Sequence, residues 1–174
     1  MKRKLAAILC AGAEGYSRLM GEDEAGTFNT LKAHLQVMGS LVEKHRGRVM
    51  AIHGDSLLAG FESVVDAVQC AVEMQNELKA RDEKFPEESR MPFRIGVNLG
   101  DVIEEGEDVY GDGVNVAAGL KGLAGPGSIC ISRSVHDHVK NKMSVGYQSL
   151  GAHSVTNRGG PHPSDRGAAG LRCR

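Results

Sequence analysis

Missing first from these 174 residues is any excess of charge of one sign: 21 Lys and Arg stand against 22 Asp and Glu, a formal net charge of −1. Without a basic or acidic balance there is no global footprint for nucleic acid or for an anionic membrane, so partners have to be argued from local sites. Long apolar runs are missing too. Crossing a bilayer takes about 20 consecutive apolar residues, and the run 5–11 (LAAILCA) falls well short. Behind Lys2, Arg3 and Lys4 that run mimics a short signal peptide in charge and length, but turn and helix signals follow it directly, and it is read as a first strand. Cysteine is scarce and unpatterned: Cys10, Cys70, Cys130 and Cys173 lie far apart, three of them in apolar stretches, which favours reduced thiols and a cytoplasmic setting. His53, His136, His138, His153 and His162 pair with no cysteine at a zinc-ligand spacing. Gly111-Asp112-Gly113 lacks the Lys-Ser/Thr ending of a phosphate loop and is read as a turn before a helix.

What is present fits one domain with a proper core. Residues 12–26 are polar and glycine-rich, after which Phe28, Leu31, Leu35, Met38 and Val42 recur at helical spacing, predicting an amphipathic helix ending near Arg46 and Gly47. Two short β-like runs, 48–52 and 57–61, flank His53, Gly54, Asp55 and Ser56 and predict an antiparallel hairpin. Ser63, with Asp66 three residues on, opens a second helix whose stripe is Val64, Val68, Ala71, Met74 and Leu78. The charged stretch 82–90 with Pro86 is a surface connection. Phe93, Ile95, Val97 and Leu99 then alternate with Arg94, Gly96 and Asn98, predicting a strand with one buried face. A helix at 111–123, a strand at 128–131, a helix at 134–141 and a strand at 145–150 complete a βαββαβ order with additions, an α+β sandwich. The domain is placed at 1–151. Residues 152–174 are rich in Gly, Pro, Arg and Ser with little apolar beyond Val155 and Leu171, and are expected to be disordered or loosely attached.

Three segments carry a resemblance when taken in order: 4–17 (KLAAILCAGAEGYS), 47–56 (GRVMAIHGDS), and 93–101 (FRIGVNLGD) running on to 108–118 (DVYGDGVNVAA). A strand and turn, a Gly-Asp turn and the D-x-x-G-x-x-V-N-V-A pattern, each weak alone, together resemble the class III adenylate/guanylate cyclases of bacterial type over about residues 4–157. The resemblance implies a ferredoxin-like βαββαβ core, an antiparallel sheet with helices packed on one face, and a head-to-tail dimer whose active sites lie between subunits. It also implies ATP or GTP as substrate and Mg²⁺ or Mn²⁺ as cofactor, with the ribose 3′-hydroxyl attacking the α-phosphorus and pyrophosphate leaving.

Carried over position by position, that chemistry is incomplete. Hard cations require carboxylate oxygens, and the family supplies two metal aspartates. The hairpin one matches Asp55, which is otherwise ordinary turn chemistry; the other falls on Gly12. Glu14 is the one nearby carboxylate, two residues or about 6.5 Å along the strand, a weak substitute with a plain reading as a solvent-facing loop residue. The transition-state pair, an Asn and an Arg one helical turn apart, matches Asn115 and Gly119, so the guanidinium is absent. The base-reading Lys and acidic residue fall on Ala51 and Asp108, leaving adenine versus guanine undecided. Arg94 is either triphosphate-facing, as the resemblance implies, or a solvated or interface arginine. A closing apolar strand is also expected to be missing, since the glycines and proline from Arg158 onward interrupt pairing and leave a sheet edge exposed.

The function implied is a cyclase-like domain with little or no turnover, a regulatory or nucleotide-binding pseudoenzyme of signal transduction. The alternatives are a working cyclase, as a weak homodimer or one half of a heterodimer with another cyclase domain, and a pure protein-interaction domain.

Overall fold

Two long strands, one carrying a continuous apolar run and one with apolar residues at alternate positions from Phe93 to Leu99, set the centre of the molecule. In the computed structural model, which describes residues 2–106, 108–143, 146–149, 156–157, 160–161 and 168–172, β1 (Lys2–Ala13) and β4 (Phe93–Glu105) pair antiparallel in register from Lys2↔Glu104 to Ala13↔Phe93. The helices α1 (Tyr16–Glu22) and α2 (Glu24–Lys44) follow β1, then the hairpin β2 (Arg48–His53) and β3 (Ser56–Phe61), then α3 (Val64–Asp82) and a single 3₁₀ turn at Glu87–Ser89. After β4 come β5 (Asp108–Tyr110), α4 (Asp112–Leu123), β6 (Ile129–Ser132), α5 (Arg133–Val139), β7 (Gly146–Ser149), the short pair β8 (Thr156–Asn157) and β9 (Gly160–Pro161), and β10 (Ala168–Arg172). The main sheet runs β2-β3-β1-β4-β6-β10-β7, with β5 folded back onto β4. Its first four strands are the antiparallel βαββαβ order. The β4–β6 pair is parallel, since α4 carries the chain across between them.

Alternation then sorts the side chains. Leu9, Phe93, Ile95 and Val97 face one way and pack with Leu31, Met38 and Val42 of α2, Met74 and Leu78 of α3, and Val135 and Val139 of α5. The expectation of helices on one face describes α2, α3 and α5. The fourth long helix, α4, lies on the other face, over Ile8 and Cys10, because that face is also apolar or bare and α4 offers it Val116, Ala117 and Leu120. Ser63 caps α3, its Oγ accepting from the Asp66 N–H at 3.2 Å, and Asp23 caps α2, accepting from Gly26 at 3.0 Å. Two elements go beyond the periodicity reading. α1 lies in the polar glycine-rich stretch and buries only Leu19, and β5 is three residues long, so neither carries a periodic signal.

The missing closing strand is a correction. β10 inserts between β6 and β7, with Ala169 opposite Ile131 and Ser149 and Gly170 opposite Cys130 and Gln148. Its run Ala168-Ala-Gly-Leu-Arg172 holds no proline and one glycine, so nothing in it interrupts a ladder once the prolines at 161 and 163 are passed. The rest of the expectation for 152–174, and the boundary at 151, lie outside the described residues apart from β8 and β9. Among the described residues no helix is long and apolar enough to cross a membrane, and Cys10, Cys70 and Cys130 are buried free thiols, with burial pushing Cys70 up to about 12 and Cys130 to about 11.

One polar pair is sealed into the core. His34 of α2 and Asp82 of α3 are 2% and 6% exposed, with Nε2 3.8 Å from Oδ1. Asp82 accepts the Met91 N–H at 3.2 Å, and the His34 ring meets Phe93 edge-on at 5.9 Å. Burial holds His34 below its ordinary 6.5 against the pull of Asp82, and Arg81 adds to the decrease. Burial also pushes Asp82 upward, against the Met91 N–H, His34 and Arg90. As pH falls through 6.5 the unfolded chain takes the histidine proton and the folded chain does not, so the His34 contribution is lost on acidification. The Asp82 shift has the opposite sign, costing stability as pH rises above 3.8. Urea midpoints measured from about pH 7.5 down to about 5.5 should fall in the native protein and fall less steeply in His34→Gln. Equal slopes would refute the assignment.

Candidate active site

Three residues stand in one row across the sheet. Gly12 of β1 is opposite Ser56 of β3 on one side and Arg94 of β4 on the other, and directly paired residues of antiparallel strands share a face. Phe93, Ile95 and Val97 occupy the opposite face and are buried in the main core, so the row looks toward α4. Asp55 precedes the row in the hairpin turn, half-buried, its carbonyl accepting the Ala13 N–H at 3.2 Å, with Gly54 supplying the left-handed backbone (φ 58°) that tightens the turn. The fold thus brings Gly12, Asp55 and Arg94 to one end of the central strands.

Lys121 completes the group, and pattern reading missed it. It sits in the last turn of α4, and its side chain folds back over Gly12: a Cβ built on Gly12 would lie 3.0 Å from Nζ and 3.1 Å from Cδ. Its Nζ donates to Ser56 Oγ at 3.4 Å. The ammonium also pulls down the Cys10 thiol, whose pKa burial raises. Glu14 is engaged elsewhere. Its Oε2 is 2.6 Å from Nε of Arg94, and Arg94 Nη1 donates to the Gly122 carbonyl at 3.4 Å.

The remaining predicted positions lie outside this row. Ala51 and Asp108 line one open groove of about 670 Å³ with Ile52, His53, Glu104 and Tyr110. Asp108 is exposed, held by the β5 pairing with Glu105. Asn115 is exposed on α4, and Gly119 lies one turn on, half-buried.

What positions α4 is bare backbone. A Cβ on Gly96 would lie 2.3 Å from the Ala117 carbonyl oxygen and 2.4 Å from the Lys121 nitrogen, so the helix rests directly on β4. At its other end Gly113 lies against the Asp101 carbonyl and Gly100, and Asn98 donates to the Gly113 carbonyl at 3.2 Å.

This donor set does not suit a divalent ion. Hard cations collect several oxygens, but Gly12 offers no side-chain oxygen, the Glu14 carboxylate is held by Arg94, and a cationic side chain lies over the position. Among the described residues no cluster of three His, Cys, Asp or Glu side chains is placed to hold a metal. The Lys121 ammonium over a bare strand end, beside an Arg94 already paired with Glu14, is better suited to an anion.

The family model for the adenylate and guanylate cyclase catalytic domain matches residues 3–164. The chain belongs to that family. A crystal structure described as an adenylate/guanylate cyclase/hydrolase from Silicibacter pomeroyi is 34% identical and superposes with a TM-score of 0.88, covering 98% of this chain and 97% of that one. The adenylyl cyclase CyaB from P. aeruginosa shares the fold, with a TM-score of 0.81 at 19% identity over 98% of this chain and 95% of that one. Among curated proteins, "Putative adenylate cyclase 3" of Rhizobium meliloti (strain 1021) is 44% identical over 158 residues, 90% of this chain. The serine/threonine-protein kinase pkn2 of Myxococcus xanthus is 27% identical over 83% of this chain. This chain spans only 27% and 17% of those two proteins' lengths.

Because α4 lies on glycine backbone, Gly96→Ala has no flexible side chain to push aside and must shift the helix. We expect it to destabilise the domain by about 1–3 kcal/mol in urea unfolding and to change the near-ultraviolet circular dichroism. A cost below about 0.5 kcal/mol, the range of an innocuous surface change, would show that α4 is not held as described.

Proposed function

We propose that this chain is a cyclase homology domain with little or no turnover of its own, a regulatory module that keeps a nucleotide-facing cleft. The observation that carries this reading is Gly12, the position of one metal aspartate, lying buried beneath the Lys121 side chain. The family reaction develops negative charge on a triphosphate and needs divalent ions and a guanidinium to answer it. Here one carboxylate has no counterpart, and Gly119 stands where the guanidinium is expected. Loss of one such donor costs on the order of a hundred- to a thousandfold in rate, before the metal is counted.

Support for a retained cleft comes from Asp55, Arg94, Asp108 and Asn115, all present, and from the groove between β2 and β5. Pairing with a second cyclase domain, identical or not, is part of the proposal, since the family's composite site needs two subunits. Ile52 and Tyr110, 50% and 42% exposed beside the groove, are apolar surface such a partner would cover. A heterodimer in which this chain contributes the Asn115 helix is weakened by Gly119, because the guanidinium belongs on that same helix.

The test is a cyclase assay on the purified chain with ATP or GTP and Mg²⁺ or Mn²⁺. Cyclic product should be at or near background. The combined variant Gly12→Asp, Ala51→Lys, Gly119→Arg and Lys121→Met should exceed it by about a hundredfold or more. Turnover by the native chain at the rate of ordinary cyclases, about 1 per second or faster, would overturn the proposal.

A further inference from the structure

A lysine in the last turn of a helix ordinarily extends into water, where it favours the negative helix end. Lys121 does the reverse. From the C-terminal turn of α4 it folds inward over β1, half-buried, with Cδ, Cε and Nζ all stacked above the face of Gly12. A Cβ at position 12 would lie 3.0 Å from Nζ and 3.1 Å from Cδ, so the lysine would have to give way by a few tenths of an ångström. Its nitrogen is anchored by the neutral Ser56 hydroxyl, and among the described residues no carboxylate lies within ion-pairing distance of it. A half-buried ammonium with one neutral partner is under-satisfied, with two donor positions left for an anion.

Gly12 and Lys121 therefore act as a pair. We propose that together they convert a divalent-metal position into a fixed ammonium site, which takes the phosphates of a nucleoside triphosphate without a metal ion. Arg94 stands in the same cross-strand row and supplies a second cation. Its guanidinium is half-occupied by Glu14 and the Gly122 carbonyl, so it adds charge while Lys121 supplies the open donors. The ligand expected is the free polyphosphate anion, because a phosphate chain carrying its own divalent ion would bring that ion against the ammonium. This inference rests on the nucleotide-facing reading of the cleft but is separable from the question of turnover.

The probe is ATP, titrated calorimetrically in EDTA and again in excess Mg²⁺. Binding should appear in EDTA and should not strengthen with Mg²⁺. Lys121→Met should weaken it by about tenfold or more, the worth of a charge-assisted hydrogen bond. Gly12→Asp should abolish it without creating metal dependence, because the new carboxylate pairs with Lys121. The double variant Gly12→Asp/Lys121→Met frees that carboxylate beside Asp55. It should bind Mn²⁺ by electron paramagnetic resonance where the native chain does not.

Mg²⁺-dependent ATP binding by the native chain, unchanged affinity in Lys121→Met, or no ATP binding in either medium would each overturn the inference. Thermal melts of the variants separate misfolding from loss of the site, and Lys121→Arg, which keeps the charge, should retain part of the affinity if the cation is what matters. Cyclic product in the assay above would strike the turnover proposal and leave the EDTA result standing on its own.

Discussion

The rest of the structure depends on the approach of α4 to the bare backbone of Gly96. At that crossing helix and strand meet with no side chain between them, the Ala117 carbonyl and the Lys121 nitrogen lying where a Cβ would project. A helix held so close has little freedom to roll, and everything it carries is fixed by where the glycine lets it rest. Ala117 and Leu120 point down into the second apolar layer, Asn115 points out, and Lys121 has just the height needed to fold over the neighbouring strand. Asn98, reaching from the same strand to the Gly113 carbonyl, pins the other end. The α4 face of the sheet is thus a scaffold for side-chain placement, while the α2–α3–α5 face holds the larger share of the buried apolar residues.

On that scaffold the electrostatics of the strand ends are inverted from what a divalent ion requires. A magnesium position is a concentration of carboxylate charge that collapses around two positive charges. Here the row Ser56, Gly12 and Arg94 contributes a hydroxyl, no side chain and a cation that Glu14 answers, Lys121 adds a second cation, and Asp55 in the adjoining turn is the carboxylate left. Placing a metal in that row would set it against an ammonium in a half-buried setting, where like charges repel far more strongly than in water. Glu14 cannot reverse the balance while its carboxylate answers Arg94 at 2.6 Å. The distance along the strand already argued against Glu14 as a substitute ligand; the ion pair gives a second and independent reason.

How much of this could be read from residues alone differs by level. The strands of the central sheet and the helices α2 and α3 were legible because Phe93, Ile95 and Val97, and Leu31, Met38 and Val42, recur at strand and helix periods that only burial of one face explains. The hairpin was legible from Gly54 and Asp55. The single parallel crossing and the helix on the second face were not, because they depend on a glycine, a residue with no hydrophobic signal to read. β10 escaped for the converse reason, since a short Ala-Ala-Gly-Leu-Arg run inside a glycine-rich tail pairs once β6 and β7 present their edges. Within the proposed site, the correspondence of Gly12, Ala51, Asp55, Asp108, Asn115 and Gly119 with family positions rests on motif order. Lys121 did not, because it lies one residue past a buried leucine and its direction is set by Gly96, some 25 residues earlier (roughly one turn-and-helix unit).

The altered positions also differ in kind. On the proposed correspondence with the family, Gly119 and Ala51 each stand where a cation is expected. On the same proposed correspondence Gly12 stands where an anion is expected, and the Lys121 side chain lies over it. Removing a carboxylate while keeping the lysine would leave an ammonium beside a hole; removing it for glycine gives the lysine a floor to lie on. A Cβ at position 12 would lie 3.0 Å from the Lys121 ammonium nitrogen, so glycine there leaves the lysine room for its present position. A strand end overlaid by an ammonium that a hydroxyl holds, under a helix that one glycine allows to sit close, has the electrostatic preference proposed above, and a polyphosphate without its metal is the kind of anion that preference would select.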